Sequence, residues 1–132
     1  MREIKFRAWD TLQGGKFEYW DSETNRFDGI FWTMIKHKSF KEPQQYTGLK
    51  DKNGKEVWEG DIIRIESGDS RCNTEATLVF WWNGQFVFKA SDYQEHDYIN
   101  FGWWVRSNEM NTSLKQIEVI GNIYENPELL KS

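Results

Sequence analysis

Cysteine, histidine and proline are scarce in this sequence of 132 residues, and each scarcity excludes a class of protein. Cys72 is the single cysteine, so neither an intrachain disulfide nor a cysteine-rich zinc site can form. His37 and His96 are far apart, and nothing in the sequence near Cys72 indicates a catalytic pair of cysteine and histidine. With two prolines and 10 glycines, the chain is neither of low complexity nor collagen-like, so we expect one globular domain.

Long apolar runs and an excess of basic residues are also missing. No apolar run approaches the ~20 residues that cross a bilayer, and the N-terminus resembles neither a signal peptide nor an anchor. We therefore expect a soluble, cytoplasmic protein without a membrane partner. The net charge of −4 gives no overall attraction to nucleic acid. The densest basic run favours a solvated loop, and the alternative is contact with an anion through Lys36, Lys38 and Lys41.

The catalytic groups of an enzyme are not evident. The nearest approach to a metal site is an acidic stretch made of Asp92, Glu95, His96 and Asp97. Its spacing matches neither an EF-hand nor a zinc-binding helix, so a solvated acidic loop is the favoured interpretation. The scattered glycines indicate no phosphate-binding loop. We predict that the chain is not an enzyme and has no catalytic residue, no metal site and no cofactor.

Aromatic residues, by contrast, are abundant. The chain holds 8 Trp, 9 Phe and 5 Tyr, and rings fit strands better than helices. Apolar residues alternate with polar ones over short stretches that polar turns separate, which predicts an all-β fold of the small-barrel or sandwich type. The predicted strands are 3–9, 16–20, 61–66, 76–82, 85–90 and 116–124. Residues 26–35 form either a strand broken at Gly29 or a short buried helix, and Asn126-Pro127 predicts a final helical turn.

The stretch 79–88, with the sequence VFWWNGQFVF, gives the firmest prediction. Asn-Gly is the strongest short-range signal for a two-residue hairpin turn. The turn would pair Trp82 with Gln85, Trp81 with Phe86, Phe80 with Val87, and Val79 with Phe88. Directly paired residues share a face, so both faces of this hairpin would be apolar. An antiparallel hairpin usually keeps one face in water, which means that the second face needs a cover.

A second pair of adjacent tryptophans strengthens this expectation. Neighbouring strand residues point to opposite faces, so one Trp of each pair leaves the interior unless both faces are covered. The resulting patch would be larger than monomers usually expose, and its cover is either another part of this chain or a second copy. Single-stranded nucleic acid also stacks on rings, but the basic groove that such binders have is missing. The predicted partner or oligomer surface consists of Trp81, Trp82, Phe86, Phe88, Trp103 and Trp104.

Four further stretches form a recognisable series: FRAWD at 6–10, QYTGLKDKNGKE at 45–56, EGDI at 59–62 and IGNIYENP at 120–127. In this order they resemble the YopX family of phage and prophage proteins, from about residue 2 to 130. No family motif falls between about 64 and 115. The resemblance implies a β-rich fold with an SH3-type small barrel and a bacterial host cytoplasm, but it implies no activity.

The motif residues suit structural roles, since Gly48, Gly54 and Gly60 fit turns and Asp61 fits the start of a strand. We therefore expect one domain over 1–132 with additional antiparallel strands outside the barrel. Its parts are an N-terminal hairpin at about 3–35, a barrel-like part at about 46–124 and a C-terminal turn at 126–131.

The leading functional hypothesis is a non-enzymatic phage or prophage accessory protein. It would bind an unknown phage or host protein and associate with itself through the aromatic surface. The alternative is a small barrel that binds nucleic acid. An enzyme that uses Cys72 or the acidic stretch 92–97 ranks last.

Overall fold

Short antiparallel strands dominate the computed structural model, which describes residues 4–23, 29–66, 74–82, 84–89, 98–100 and 117–130. The strands are β1 (Lys5–Asp10), β2 (Lys16–Asp21), β3 (Gln44–Lys50), β4 (Glu56–Trp58), β5 (Asp61–Ile65), β6 (Thr74–Leu78), β7 (Phe80–Trp82), β8 (Gln85–Lys89), β9 (Tyr98–Asn100) and β10 (Ile117–Asn122). One short helix, α1, spans Ile30–Met34, and 3₁₀ turns span Leu12–Gly14 and Pro127–Leu130. The predicted all-β class is confirmed.

The strands form three sheets with the orders β2-β1-β3-β4, β10-β5-β6 and β7-β8-β9. These sheets are open in the described ranges, so the SH3-type barrel stays a prediction. The chain divides into two compact units, Met1–Gly48 and Leu49–Ser132, and β3 runs across the division. The single domain over 1–132 likewise stays a prediction.

The first unit is built on the predicted N-terminal hairpin, which is confirmed. Phe6 of β1 pairs with Trp20 of β2, and Trp32 of α1 packs edge-on against both rings, with centroids 5.2 and 5.5 Å away. Phe31 of the same helix is buried. Of the two alternatives for 26–35, the described part is the short helix, because its rings complete this aromatic cluster.

The opposite face of the hairpin carries a buried cation. Arg7 lies 4.1 Å from the centroid of the Phe17 ring, and its Nε donates to Oε1 of Gln44 at 2.9 Å. Trp9 packs edge-on against Phe17 at 4.8 Å. Gly15 adopts a φ of 88°, and a Cβ there would collide with the Trp9 ring, so this position favours glycine on both counts.

The second unit has an aliphatic and aromatic core. Its buried members come from β4, β5, β8, β10 and the residue between β6 and β7, and Leu49 packs against them. They are Val57, Ile63, Ile65, Val79, Phe86, Phe88, Ile117 and Val119. The predicted strand at 116–124 is confirmed as β10, with a shift of register between Val119 and Gly121. A bulge of this kind lets both sides of a strand carry apolar residues.

The predicted strand 76–82 is wrong as a continuous element, because it breaks at Val79. The Val79 N–H donates to the Asp61 carbonyl at 2.9 Å, and the Gly60 N–H donates to the Val79 carbonyl at 2.7 Å. The chain thereby leaves the sheet of β6 and enters that of β7. The ladder of the hairpin begins at Phe80, one pair short of the predicted partners Val79 and Phe88.

The predicted turns hold with one exception. Gly54 and Gly60 lie in turns, but Gly48 lies inside β3 with a φ of 89°, so its assignment to a turn is wrong. The predicted C-terminal turn is the 3₁₀ turn at Pro127–Leu130, in which the Leu129 N–H donates to the Asn126 carbonyl.

Candidate partner-binding surface

The tip of the β7–β8 hairpin presents two tryptophans. The predicted register is confirmed, with Trp81 opposite Phe86 and Trp82 opposite Gln85. Gly84 has a φ of 79°, which a turn between two such strands requires and which glycine adopts without strain. Trp81 is 51% exposed and Trp82 is 45% exposed. Because neighbouring strand residues alternate, the two indoles lie on opposite faces of the hairpin.

The base of the same hairpin is buried. Val87 and Phe88 have no exposed surface and Phe86 is 9% exposed, so all three anchor β8 in the core. Trp81 rests edge-on against Phe86 with ring centroids 4.9 Å apart. The predicted partner surface is therefore wrong in including Phe86 and Phe88, because core packing consumes both rings. Their burial instead fixes β8, which pairs with β7, the strand from which the indoles project.

Several sequence predictions fall on residues outside the described ranges. Trp103 and Trp104, the other tryptophan pair of the predicted surface, are among them, as are Cys72 and the acidic stretch 92–97. Among the residues that the structure does describe, no group of three or more His, Cys, Asp or Glu is arranged to hold a metal ion. In the same ranges, no helix has the length and apolarity needed to cross a membrane.

The basic stretch follows α1 in the first unit. Lys36, Lys38 and Lys41 are all exposed, whereas Ser39 between them is buried. The carbonyl of Ser39 accepts the N–H of Thr11 at 2.9 Å, and the Lys41 N–H donates to the Trp9 carbonyl at 2.9 Å. These bonds hold the backbone of residues 39–41 beside the end of β1, and the three exposed lysines around it are called the basic rim.

Comparison with known proteins shows the family of this chain. Residues 5–131 match the family described as YopX protein. The chain belongs to the YopX family. The fold of this YopX chain is similar to the crystal structure of protein EF1440 from Enterococcus faecalis, with a TM-score of 0.54 and 23% identity, over 97% of this chain and 98% of that chain. At that identity, the similarity shows the fold alone. No curated protein matches.

The YopX motif around Asn53-Gly54 is organised by a carboxylate that the sequence reasoning missed. Asp51 is buried, and its Oδ1 accepts the N–H groups of Asn53 at 2.8 Å and Lys55 at 2.9 Å. Its Oδ2 accepts the N–H of Val119 at 2.9 Å, from a strand 68 residues further along the chain. An Asp two residues before Asn-Gly is a sequence signal for the turn bonds, but not for the bond to β10.

In the other YopX motifs of the second unit, side-chain oxygens likewise accept backbone N–H groups. Oδ2 of buried Asp61 accepts the Trp58 N–H at 2.8 Å and closes the turn between β4 and β5. Oδ1 of Asn122 accepts the N–H groups of Tyr124 and Glu125, at 3.0 and 2.9 Å, where β10 ends. These polar motif residues bind backbone groups. Trp81 and Trp82 are the largest of the exposed apolar side chains in the described ranges.

Proposed function

We propose that this YopX protein is a non-enzymatic accessory protein encoded by a phage or prophage, and that it acts in the bacterial cytoplasm by binding proteins. Its first partner is a second copy of the chain, engaged through Trp81 and Trp82. The observation that supports this proposal is the exposure of two adjacent indoles on a hairpin whose base is locked into the core. No residue has a catalytic role in this proposal.

The exposed area sets the expected strength of self-association. A tryptophan buries about 150–250 Å² when it is fully covered, so two half-exposed indoles offer roughly 200 Å² per copy. Two copies would cover roughly 400 Å², about a third of the ~1,200 Å² at the lower end of stable interfaces. Because this area is smaller than that of stable interfaces, we expect at most a weak, concentration-dependent dimer.

Sedimentation velocity from about 5 to 500 μM tests the proposal. The wild-type chain should shift from monomer to dimer, and the double variant Trp81→Ala/Trp82→Ala should stay monomeric throughout. Tyr19→Ala is the matched control, because Tyr19 is 57% exposed but lies in the other unit, and it should associate like the wild type. A wild-type chain that is monomeric at every concentration would refute the proposal.

A second candidate function rests on the basic rim of the first unit. Lys36, Lys38 and Lys41 are exposed, and the stretch 36–41 contains no acidic residue. Residues 1–48 hold 8 Lys/Arg and 7 Asp/Glu, a formal charge of +1, whereas 49–132 hold 9 and 14, a charge of −5. A nucleic acid would therefore approach the first unit, although the overall charge of −4 ranks this function below self-association.

Fluorescence anisotropy with labelled single-stranded and double-stranded DNA tests this candidate. Binding through three lysines should weaken with salt along a log–log slope of roughly −2 to −3. The triple variant Lys36→Gln/Lys38→Gln/Lys41→Gln should lose it, while Lys50→Gln, a single exposed lysine outside the rim, should keep it. If the chain binds no DNA at low salt, or if its DNA binding does not depend on salt, nucleic-acid binding through these lysines is refuted.

A further inference from the structure

Aromatic rings and cations share one face of the hairpin β1–β2 in the first unit. Arg7 and Trp9 of β1 lie on this face, and the register of β2 sets Tyr19 opposite Arg7 and Phe17 opposite Trp9. Directly opposed residues of antiparallel strands point to the same side of the sheet. The rings of α1 pack on the other side of the hairpin, so the helix does not cover this face.

Lys41 of the basic rim lies on the same face. Phe40 forms an antiparallel bridge with Asp10, and the neighbouring Lys41 N–H donates to the Trp9 carbonyl at 2.9 Å. Lys41 is therefore directly opposite Trp9 and points to the same side of the sheet. Two strand spacings and two residues along a strand set the Cα atoms of Lys41 and Tyr19 roughly 12 Å apart.

Tyr19 is the most exposed of the three rings on this face. It is 57% exposed, whereas Phe17 and Trp9 are partly exposed. Arg7 occupies one side of the Phe17 ring at 4.1 Å, and Trp9 packs edge-on against the same ring at 4.8 Å. The Tyr19 ring lies 6.1 Å from that of Phe17, centroid to centroid. The face therefore presents one exposed ring, supported by neighbours that are themselves packed.

The charge on this face favours an anionic ligand. Within β1 and β2, the cations on this side are Lys5 and Arg7, and the single acidic residue is Asp21. Asp21 lies 4.0 Å from the Lys5 ammonium, so it is already paired. Lys41 adds a third cation, and it is exposed, as is Glu42 next to it. A negatively charged ligand would thus meet Lys41 beside the exposed ring.

We propose, on the basis of the nucleic-acid binding described above as the second candidate function, that the ligand is a single strand. One base stacks on Tyr19, and the basic rim holds the neighbouring phosphates. The bases of a duplex stack on one another and offer no face to a ring on a sheet, which favours a single strand over a duplex. DNA and RNA share the phosphates and the flat bases, so either serves as the ligand.

Fluorescence anisotropy at low salt tests this proposal with labelled oligo-dT and oligo-U of about ten nucleotides and with a labelled DNA duplex. The wild-type chain should bind a single strand at least about fivefold more tightly than the duplex. Tyr19→Leu should remove this preference by weakening single-strand binding about fivefold or more, whereas Tyr19→Phe, which keeps a ring, should change it less than about twofold. The ratio of the two single-strand dissociation constants identifies DNA or RNA as the better ligand.

Two further variants sharpen the test. Trp81→Leu is the matched control, because Trp81 is 51% exposed but lies in the other unit, and it should leave single-strand affinity within about twofold of the wild type. Glu42→Gln removes the acidic group next to Lys41 and should strengthen binding. Urea denaturation of each variant checks that the first unit remains folded.

The outcomes separate stacking on Tyr19 from nucleic-acid binding itself. Equal affinity for single strand and duplex, with no effect of Tyr19→Leu, overturns the stacking while binding through the basic rim stands. A loss of single-strand binding in Trp81→Leu but not in Tyr19→Leu also overturns it, because the bases would then lie on β7. A chain that binds none of these nucleic acids refutes both proposals together.

Discussion

Asp51 connects two segments of the YopX chain that are distant in sequence. Its two oxygens accept three backbone N–H groups, two within the turn after β3 and one on β10. The Lys52 N–H adds a second bond between the turn and β10, to the Ile117 carbonyl at 3.0 Å. The carboxylate holds the turn against β10, because the buried N–H of Val119 would otherwise lack a partner.

Substitution of Asp51 should therefore cost stability in a graded way. Asp51→Ala leaves the buried N–H of Val119 unpaired and removes the two hydrogen bonds that order the turn, so it should lower the free energy of unfolding by about 2–4 kcal/mol. Asp51→Asn keeps one oxygen for the turn but sets an amide against the Val119 N–H, and should cost about 1–3 kcal/mol. Urea denaturation measures both, with Asp10→Asn as the control, since the Asp10 carboxylate accepts its bond from Leu12 at the surface. Equal losses of unfolding free energy in all three variants would show that the hydrogen bonds of the Asp51 carboxylate do not stabilise the fold.

At the scale of elements, a network of ion pairs lies where the turn after β3 meets β10. Nζ of Lys52 lies 2.9 Å from Oε2 of Glu118 on β10, and the guanidinium of Arg64 on β5 lies 3.8 Å from that oxygen. The hydrogen bond from Lys52, followed by its charge and the weaker effect of Arg64, lowers the pKa of Glu118 below its usual value. The network therefore favours the ionised carboxylate in the folded chain.

This lowered pKa predicts a pH dependence. A carboxyl group whose pKa is lower in the folded than in the unfolded state contributes stability above its unfolded pKa, and that contribution disappears as pH falls through the folded pKa. The melting temperature of the wild type should therefore fall more between pH 6 and pH 3 than that of Glu118→Gln. High salt should narrow the difference, because the pair is partly exposed and is screened. Parallel melting curves at low salt would show that the pair does not contribute.

Local turn chemistry explains which elements the sequence could predict. Gly15 and Gly84 mark hairpins whose strands are neighbours in sequence, so the pairing of β7 with β8 follows from a turn of two residues. The break at Val79 could not be predicted, because its cause is the carbonyl of Asp61 on a separate strand. The burial of Phe86 and Phe88 also depends on distant strands, so the sequence assigned these rings to the surface together with Trp81 and Trp82.

At the scale of the whole molecule, charge separates the two candidate functions. The unit that carries Trp81 and Trp82 has a formal charge of −5 from 9 basic and 14 acidic residues, and the whole chain has −4. Two copies that approach through this unit repel each other, and salt screens the repulsion. Contact between lysines and phosphates has the opposite dependence, because salt competes with it.

Self-association should therefore strengthen with salt. Raising NaCl from about 20 to 300 mM should lower the dimer dissociation constant about two- to threefold, since the Debye length shrinks from roughly 20 Å to about 6 Å. Sedimentation velocity measures this change at pH 7, where the charge is −4, and repetition at pH 5.2, the pI of the chain, should reduce the salt effect because the net negative charge is smaller. Anisotropy on the same samples reports any DNA complex, which must weaken over the same range. A dimer that dissociates as salt rises would mean that ion pairs, and not the indoles of β7, hold the two copies together.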